Sequence, residues 1–312
     1  MNKTVLDQYE EVVTDALQSC SAKLRKSFKI AFIQLMILYM ALPRKINFTQ
    51  MGRYSDSSEQ RFRQLFEREF DWMQFNLFLM RQRFGESVRK AIAIDASYIS
   101  KSGKKTPYIG KFWSGCASQV KRGLEILGIG IIDIDSRDCM MLRAEQTPDK
   151  AYLEKQGEDY NLVDWYLDVL RKYKDKLLGV TRYVVADAWF SKAKFVNEAC
   201  LLGFHVISRL RDDAALWYSH DGVRTGKRGR PRIKGEKIDF EKLDLQRCEI
   251  LDIEGGKAYS VKAYSKAMKR NIKVVVHYPK SGGHKIYFST DLDMSAKDII
   301  EYYRTRFQIE FC

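Results

Sequence analysis

The chain has 312 residues, of which 45% are hydrophobic, and 54 Lys and Arg against 40 Asp and Glu give it a net charge of +14 at pH 7. The hydrophobic fraction is enough for a buried core. The net positive charge is typical of a protein that binds a polyanion, most often nucleic acid, and a basic surface with no dedicated partner is the alternative. Six scattered cysteines without C-x-x-C spacing argue against a zinc module and against a disulfide framework. The most apolar run, residues 30–42, is shorter than the ~20 residues of a membrane span.

Residues 1–90 are predicted to be helical. The apolar run predicts a buried helix that ends at Pro43, since proline cannot continue a helix. Residues 47–56 and 57–66 then predict two short helices around a turn, with Asp56 and Glu59 opening the second. This pair resembles a helix-turn-helix, and we predict that Arg61 and Arg63 contact DNA. The alternative is a helix pair in an all-helical domain with no role in DNA binding.

Residues 91–210 change to an alternation of strands and helices. Two apolar runs end in an acid, residues 91–95 at Asp95 and residues 183–187 at Asp187. The predicted order is strand–strand–strand–helix–strand–helix–strand, which indicates an α/β fold on the ribonuclease H-like plan. Reactive groups of open α/β sheets lie at strand ends. A loop with Lys101, Lys104 and Lys105 follows Asp95, and these lysines contact phosphate or are simply solvated.

Residues 211–290 are predicted to interrupt this catalytic domain. The segment is basic, and its later part predicts three strands with a Pro-Lys-Ser-Gly-Gly turn, which indicates a mostly antiparallel β insertion. An Arg-Gly-Arg-Pro run resembles an AT-hook, whose arginines enter a narrow A·T-rich minor groove. Its candidates are Arg228, Arg230 and Arg232, and a solvated basic loop is the alternative.

Residues 291–312 begin a helix that Ser295 is predicted to cap. Tyr303, Arg306 and Glu310 share one face with Ile299 at about 100° per residue. Taken alone, this face indicates a surface helix with a charge pair between Arg306 and Glu310. With the two strand-end acids, however, Glu310 makes a third carboxylate. Converging carboxylates repel one another, and divalent cations such as Mg²⁺ relieve that repulsion.

These residues resemble a known family. Tyr303-x2-Arg306-x3-Glu310 matches most of the Y-x2-R-x3-E-x6-K signature of DDE transposases from bacterial insertion sequences, of the insertion-sequence family four type. Asp95 in AIDASYISKSGKK and Asp187 in VVADAWFSKAKFV match the first and second catalytic acids of that family. The resemblance covers residues 45–312 and includes the β insertion before the last helix.

The resemblance implies a cut-and-paste enzyme of the bacterial cytoplasm and nucleoid, acting on double-stranded DNA at transposon ends and targets. It implies Mg²⁺ or Mn²⁺, as two ions held by Asp95, Asp187 and Glu310, and phosphate contacts from Tyr303 and Arg306. A homodimer in a synaptic complex and no membrane association are implied as well. In some relatives an aromatic side chain of the insertion stacks on a flipped base; the candidates here are Trp217 and Tyr218, with core packing as the alternative.

One departure from the family affects the expected activity. The lysine of the signature would lie seven positions after Glu310, whereas the sequence ends at Cys312. We therefore expect DNA binding with weak or no cleavage. The alternatives are a catalytically inactive DNA-binding product of a truncated transposase reading frame, and a nuclease unrelated to mobile DNA.

Overall fold

The computed structural model describes residues 3–20, 24–43, 46–103, 105–220, 234–253 and 255–312. The chain divides into two compact units, Met1–Glu86 and Ser87–Cys312. The fold is mixed α/β, which confirms the α/β class expected from the sequence, and its sheet is mostly antiparallel. The two units are described separately below.

The first unit contains five helices in its described residues. They are α1 Val5–Ser19, α2 Lys26–Ala41, α3 Phe48–Arg53, α4 Glu59–Phe66 and α5 Trp72–Phe84. Side chains cap their starts: for example, the Asn47 side chain accepts from the Gln50 amide at α3. At α4 the capping residue is Ser58, which accepts from the Arg61 amide, and not the predicted Asp56. Serine is a strong N-cap because its oxygen satisfies an amide that the first turn leaves unpaired.

An aromatic cluster holds this helical unit together. Phe32 lies at its centre, with its ring centroid 4.9 Å from that of Phe70, 5.4 Å from Phe75 and 5.6 Å from Trp72. The apolar helix α2 contributes Phe32 to this core but leaves Ile30 more than half exposed, so α2 is buried on one side only. Among the described helices, none has the length and hydropathy that crossing a bilayer requires.

The second unit contains twelve strands and four helices in its described residues. The strands are β1 Lys90–Ser100, β2 Gly110–Ser114, β3 Gln119–Asp133, β4 Asp138–Gln146, β5 Tyr183–Ala186, β6 His205–Leu210, β7 Leu216–Ser219, β8 Lys234–Lys237, β9 Glu249–Ile253, β10 Gly256–Ser265, β11 Arg270–Pro279 and β12 Lys285–Ser289. The helices are α6 Lys150–Gln156, α7 Leu162–Leu178, α8 Ala193–Leu201 and α9 Ala296–Thr305.

All twelve strands belong to one sheet. Its order is β2-β3-β1-β5-β6-β12-β11-β10-β7-β8, with β4 beside β3 and β9 beside β10. β1 pairs with β5, and β5 with β6, in parallel, whereas the other pairings of the described strands are antiparallel. The strands of residues 211–290, which the sequence predicted to be an insertion, therefore extend the central sheet, because β12 pairs with β6.

Helix α9 packs against one face of this sheet. Its buried Ile299 and Ile300 join a core cluster with Ala91 and Ala93 of β1 and Val185 of β5. Small alanines on β1 leave room for the helix, and the burial of the two isoleucines favours its attachment by about 2 kcal/mol each. The last helix is therefore held over the middle of the sheet, where the parallel strands lie.

An arginine at the start of β1 anchors the same helix. The Arg89 guanidinium lies 2.6 Å from Asp135, 2.8 Å from Asp298 and 2.5 Å from Glu301, and the latter two belong to α9. The pKa of Arg89 is raised above its ordinary value, mainly by its hydrogen bond to Glu301. Sequence spacing gave no sign of this contact, since 209 residues separate Arg89 from Asp298.

We expect the substitution Arg89→Met to lower the free energy of unfolding by about 1–2 kcal/mol. Methionine keeps the apolar stem of the side chain but leaves two carboxylates of α9 without their cation. Urea unfolding at neutral pH measures the change. Arg171→Met is the matched control, because Arg171 pairs with Asp168 at an exposed position, where ion pairs contribute little. Equal effects of the two substitutions would contradict the anchoring role.

Candidate active site

Asp95 lies where the parallel pairing of β1 ends. β1 and β5 pair from Ile92 with Val184 to Ile94 with Ala186, and Asp95 is the next residue. The strand itself continues to Ser100 along its antiparallel neighbour β3. Asp95 therefore lies inside a strand, whereas the sequence had predicted it at the end of one. Because side chains alternate along a strand, the carboxylate of Asp95 lies on the same face as Ala91 and Ala93, which is the face that α9 covers.

Asp187 follows β5 directly. Its Oδ1 accepts a hydrogen bond of 2.9 Å from the Trp189 amide and so caps a short 3-10 helix, Ala188–Phe190. Its backbone oxygen accepts a second hydrogen bond, of 2.8 Å, from the Ser208 hydroxyl of β6. These contacts fix the backbone and one carboxylate oxygen of Asp187 at the edge of the parallel region.

The strand registers place a row of functional side chains across the sheet. The parallel pairings end at Ile94 with Ala186 and at Val185 with Ile207. Asp95 and Asp187 directly follow the first of these pairs, and Arg209 lies two residues after Ile207 on β6. Arg209 in turn pairs with Tyr287 of β12. Asp95 in β1, Asp187 directly after β5 and Arg209 in β6 thus lie near one level of the sheet.

The chain after α9 departs from the predicted continuous helix. α9 ends at Thr305, and Arg306–Phe311 form a 3-10 helix. The Thr305 hydroxyl donates to the carbonyl oxygens of Glu301 and Tyr302, and the second of these is the acceptor that the Arg306 amide would use if the α-helix continued. The tighter 3-10 turn still brings Arg306 and Glu310 to the same side as Asp95.

Arg306 lies between two of the three acids. Its Nη1 is 3.9 Å from Asp95 Oδ2, and its Nη2 is 3.7 Å from Glu310 Oε1. Only 14% of its side chain is exposed, and the Nε atom has no hydrogen-bond partner among the described residues. These separations are too long for hydrogen bonds, so the contacts are electrostatic, and a buried donor remains unsatisfied beside the acids.

The pKa of the Asp95 carboxyl is raised to about 6. Burial is the largest cause, and the negative charges of Asp187 and Glu310 act in the same direction, whereas Arg306 opposes them. Asp187 and Glu310 therefore lie close enough to Asp95 for their charges to act on it. A strongly perturbed carboxyl in such a group is typical of functional sites.

Tyr303 packs beside this group. Its ring centroid is 5.1 Å from that of Tyr287 and 5.9 Å from the Arg306 guanidinium carbon. Burial raises the pKa of its hydroxyl, Arg306 lowers it, and Asp187 raises it. The hydroxyl is therefore neutral at physiological pH and close to the charges of the site.

Comparison with known proteins identifies the family. The model of the DDE superfamily endonucleases matches residues 34–266, which is more than half of the chain. The chain belongs to this family. The family-level resemblance drawn from the sequence is thereby confirmed, and the matched segment contains both Asp95 and Asp187 but ends before α9. A search of curated proteins found no match to the chain.

The carboxylates of Asp95, Asp187 and Glu310 are ligands of a type that suits a divalent cation, although the three side chains are not drawn together around one. Three carboxylates offer the oxygen ligands that Mg²⁺ prefers. Within the described ranges, no group of three His, Cys, Asp or Glu side chains is close enough to hold a metal ion. The Arg306 guanidinium lies between Asp95 and Glu310 and supplies the positive charge there. The residues fit a metal in kind and charge, with Arg306 as a competing cation.

The other predicted DNA contacts have varied surroundings. Arg61 donates to the Ser27 carbonyl oxygen at 3.0 Å, and Arg63 pairs with Glu59 and lies over the Phe48 ring. Both arginines are exposed on the helical unit, as Lys101 and Lys105 are on the loop after β1. Lys104, Arg228, Arg230 and Arg232 lie outside the described residues.

The two aromatic candidates in β7 differ in accessibility. Tyr218 is only 5% exposed, and its hydroxyl accepts a hydrogen bond of 2.9 Å from the Asp244 amide, so it packs in the core. Trp217 is half-buried, with the Lys234 ammonium 4.8 Å from its ring centroid. Tyr218 therefore cannot stack on a base without leaving its place in the fold.

Sequence analysis did not single out three residues beside the acids. Arg209 lies on β6 two residues after Ile207, which pairs with Val185, and Trp189 and Lys192 follow Asp187 in the chain. For Trp189 and Lys192 the local sequence contained a weak signal, since both residues closely follow the predicted strand-end acid Asp187. Arg209 became visible only through the pairing of β5 with β6.

Proposed function

We propose that this chain is a DDE-type transposase that cleaves DNA at the ends of an insertion sequence and joins the freed ends to target DNA. The observation that carries the proposal is the pairing of β1 with β5, which sets Asp95 beside Asp187 under α9. Membership of a family of endonucleases supports phosphodiester chemistry on DNA. The finer reaction, the insertion-sequence type and the metal dependence are parts of the proposal.

The ribonuclease H-like plan is proposed for the part of the sheet that holds the acids. β3, β1, β5 and β6 form its centre, and the parallel pairings of β1, β5 and β6 support this view. We keep residues 91–210 as the first part of the catalytic domain and residues 291–312 as its final helix. Residues 1–90 remain a proposed DNA-binding region.

In the proposed reaction Asp95, Asp187 and Glu310 would hold one or two Mg²⁺ or Mn²⁺ ions. When bound, these ions would polarise the scissile phosphate and lower the pKa of water. The oxygen of water bonds to phosphorus while the bond from phosphorus to the 3′ oxygen breaks, which leaves a 3′-hydroxyl and a 5′-phosphate. That hydroxyl then attacks a phosphodiester of the target strand, so that one bond forms as another breaks.

The cations of the site would bind the substrate. The planar guanidinium of Arg306 offers the two donors of its Nη atoms to a phosphate. Arg209 lies on the other side of Asp187 and pairs with Asp212 at a distance of 3.5 Å, so its guanidinium is also available to a phosphate nearby. The neutral hydroxyl of Tyr303 would donate a hydrogen bond to the same strand.

The experiment is a nicking and joining assay on supercoiled plasmid with the full chain. The proposal requires nicks, however slowly they form, in the presence of Mg²⁺ or Mn²⁺ and none with EDTA. It also requires that the 3′ ends of a labelled transposon-end duplex become joined to plasmid. Nicks without joined ends would favour a nuclease unrelated to mobile DNA. Nicks that persist in EDTA would contradict the proposal.

DNA binding without cleavage is the second candidate. The position of Arg306 favours it, since a cation between Asp95 and Glu310 neutralises the site without a metal. Under this candidate the chain binds duplex DNA but leaves supercoiled plasmid intact in Mn²⁺. The same assay therefore separates the two candidates.

We expect the substitution Arg306→Gln to strengthen Mn²⁺ binding on the order of 10-fold, because a nearby positive charge opposes a second cation. Electron paramagnetic resonance of free Mn²⁺ measures the affinity without reference to cleavage. Arg306→Lys keeps the charge and is the matched control. If the glutamine variant bound Mn²⁺ no more tightly than the lysine variant, Arg306 would not compete with the metal.

A further inference from the structure

An exposed indole lies directly after Asp187. Trp189 is 39% exposed, although its ring is held edge-on by Phe190 and Tyr166, with centroid distances of 5.1 Å and 5.5 Å. Its amide donates to the Asp187 carboxylate at 2.9 Å. The indole ring is therefore held in position relative to Asp187 by its two aromatic neighbours, while part of its surface faces solvent.

A lysine lies over the same ring. The Lys192 ammonium is 3.4 Å from the ring centroid of Trp189. Burial lowers the pKa of Lys192 below its ordinary value, and the negative charge of Asp187 partly opposes this shift. Lys192 is thus close to both the indole and the acid. The pair presents an aromatic face and a cation beside Asp187.

We propose that Trp189 and Lys192 form a binding site for one unpaired nucleotide of the DNA strand next to the scissile phosphate. The base stacks on the indole, and the ammonium moves from the ring to the phosphate of that nucleotide. This inference rests on the proposed function, since the acids beside the pair are its catalytic acids.

The exchange of partners is favourable for both groups. A base stacked on an aromatic side chain is held more strongly than an ammonium over an exposed ring. The displaced lysine gains a phosphate, whose contact releases a counterion into solution. Lys192 is exposed and its stem is flexible, so the movement requires no change of the backbone.

The geometry indicates an unpaired nucleotide and not a base pair. Stacking requires access to the flat face of one base, which the neighbours in a duplex cover. The indole is rigid and offers no hydrogen-bond pattern to a particular base, so the site tolerates any sequence. A short single-stranded oligonucleotide is therefore a sufficient probe.

The experiment measures binding of a fluorescein-labelled 12-nucleotide oligothymidylate in EDTA by anisotropy. We expect Trp189→Ala to weaken binding about 10-fold and Trp189→Phe to retain most of it, because stacking on one aromatic ring is worth about that factor. Trp113→Ala is the matched control: Trp113 is 60% exposed on β2, and its removal should change the affinity less than twofold. Equal affinities of the Trp189→Ala and Trp113→Ala variants would overturn the inference.

The role of Lys192 is tested separately, through the salt dependence of oligonucleotide binding. Lys192→Ala should reduce the slope of log affinity against log salt by about 0.7, the value for one phosphate contact on a single strand. It should also leave intact the quenching of a single 2-aminopurine in the oligonucleotide, since the indole remains. An unchanged salt slope would overturn the phosphate contact, and the lysine variant tests the site even if Trp189→Ala fails to fold.

Failure of this inference is separable from failure of the proposed function. If Trp189→Ala bound the oligonucleotide normally while the wild-type chain nicked plasmid, the nucleotide site would be wrong and the transposase proposal would stand. If the chain failed to nick plasmid but lost oligonucleotide binding on Trp189→Ala, the nucleotide site would stand and the catalytic proposal would be wrong.

Discussion

Replacement of Asp187 by asparagine should lower the rate of plasmid nicking by more than about 100-fold. Loss of a residue that merely supports a metal ligand costs about 10–100-fold in metal affinity or activity, and loss of the ligand itself should cost more. Asparagine keeps the oxygen that accepts the Trp189 amide, so the cap of the 3-10 helix survives. A lower nicking rate would therefore result from the loss of the negative charge and not from unfolding of the protein.

Asp244→Asn is the matched control for this substitution. Asp244 caps the 3-10 helix Leu245–Arg247 through the Gln246 amide in the same geometry, but it lies in the segment before β9, outside the group of acids. We expect its nicking rate to stay within twofold of the wild-type rate in Mn²⁺. Equal rates for the Asp187→Asn variant and the wild-type chain would remove Asp187 from the proposed catalytic acids.

The second large effect concerns the stability of the metal-free protein. Asp95→Asn should raise the free energy of unfolding by about 1–2 kcal/mol at pH 7.5. The pKa of Asp95 is raised from 3.8 to about 6 in the folded protein, so its ionised form is less favourable there than in the unfolded chain. A shift of that size corresponds to at most about 3 kcal/mol, and the 23% exposure of the side chain reduces it.

The pH dependence follows from the direction of this shift. Below pH 3.8 the carboxyl is protonated in both states and Asp95 carries no penalty. The penalty grows as the pH rises from 3.8 to about 6 and is complete above that, because the unfolded chain then releases a proton that the folded protein tends to retain. The gain from Asp95→Asn should accordingly disappear toward pH 4.

Urea unfolding of both proteins in EDTA at pH 4, 6 and 7.5 measures this effect. Asp293→Asn is the control, because the Asp293 side chain is 95% exposed, and its substitution should change the stability by less than about 0.5 kcal/mol at every pH. Mn²⁺ should stabilise the wild-type protein and not the Asp95→Asn variant, since a cation that binds only the folded state shifts the equilibrium by mass action. A stability difference independent of pH would contradict the assignment to Asp95 ionisation.

The family and the α/β class could be predicted from the sequence because both depend on local patterns. The two apolar runs before Asp95 and Asp187 form β1 and β5 in the structure, and short runs rich in Val, Ile and Ala are consistent with buried strands. β4 was missed, since its sequence DCMMLRAEQ alternates poorly and only its pairing with β3 makes it a strand.

The expectation of a single helix from Ser295 to Glu310 illustrates the limit of sequence patterns. The spacing of Tyr303, Arg306 and Glu310 placed them on one face, and the structure places Arg306 near Glu310 through a 3-10 turn instead. The hydroxyl of Thr305 competes for the helix carbonyls, an effect that a periodicity argument does not include.

The sequence by itself determined which side chains could act as acids, cations or ligands, because these roles depend on residue type and on the local hydrophobic pattern. Only the tertiary structure decided which of them meet. The parallel register of β1, β5 and β6 sets Asp95, Asp187 and Arg209 in one row, and the packing of α9 sets Arg306 between two acids. Strand register and helix docking depend on contacts between residues that can be more than 200 positions apart, as Asp95 and Arg306 are, and no local pattern encodes those contacts.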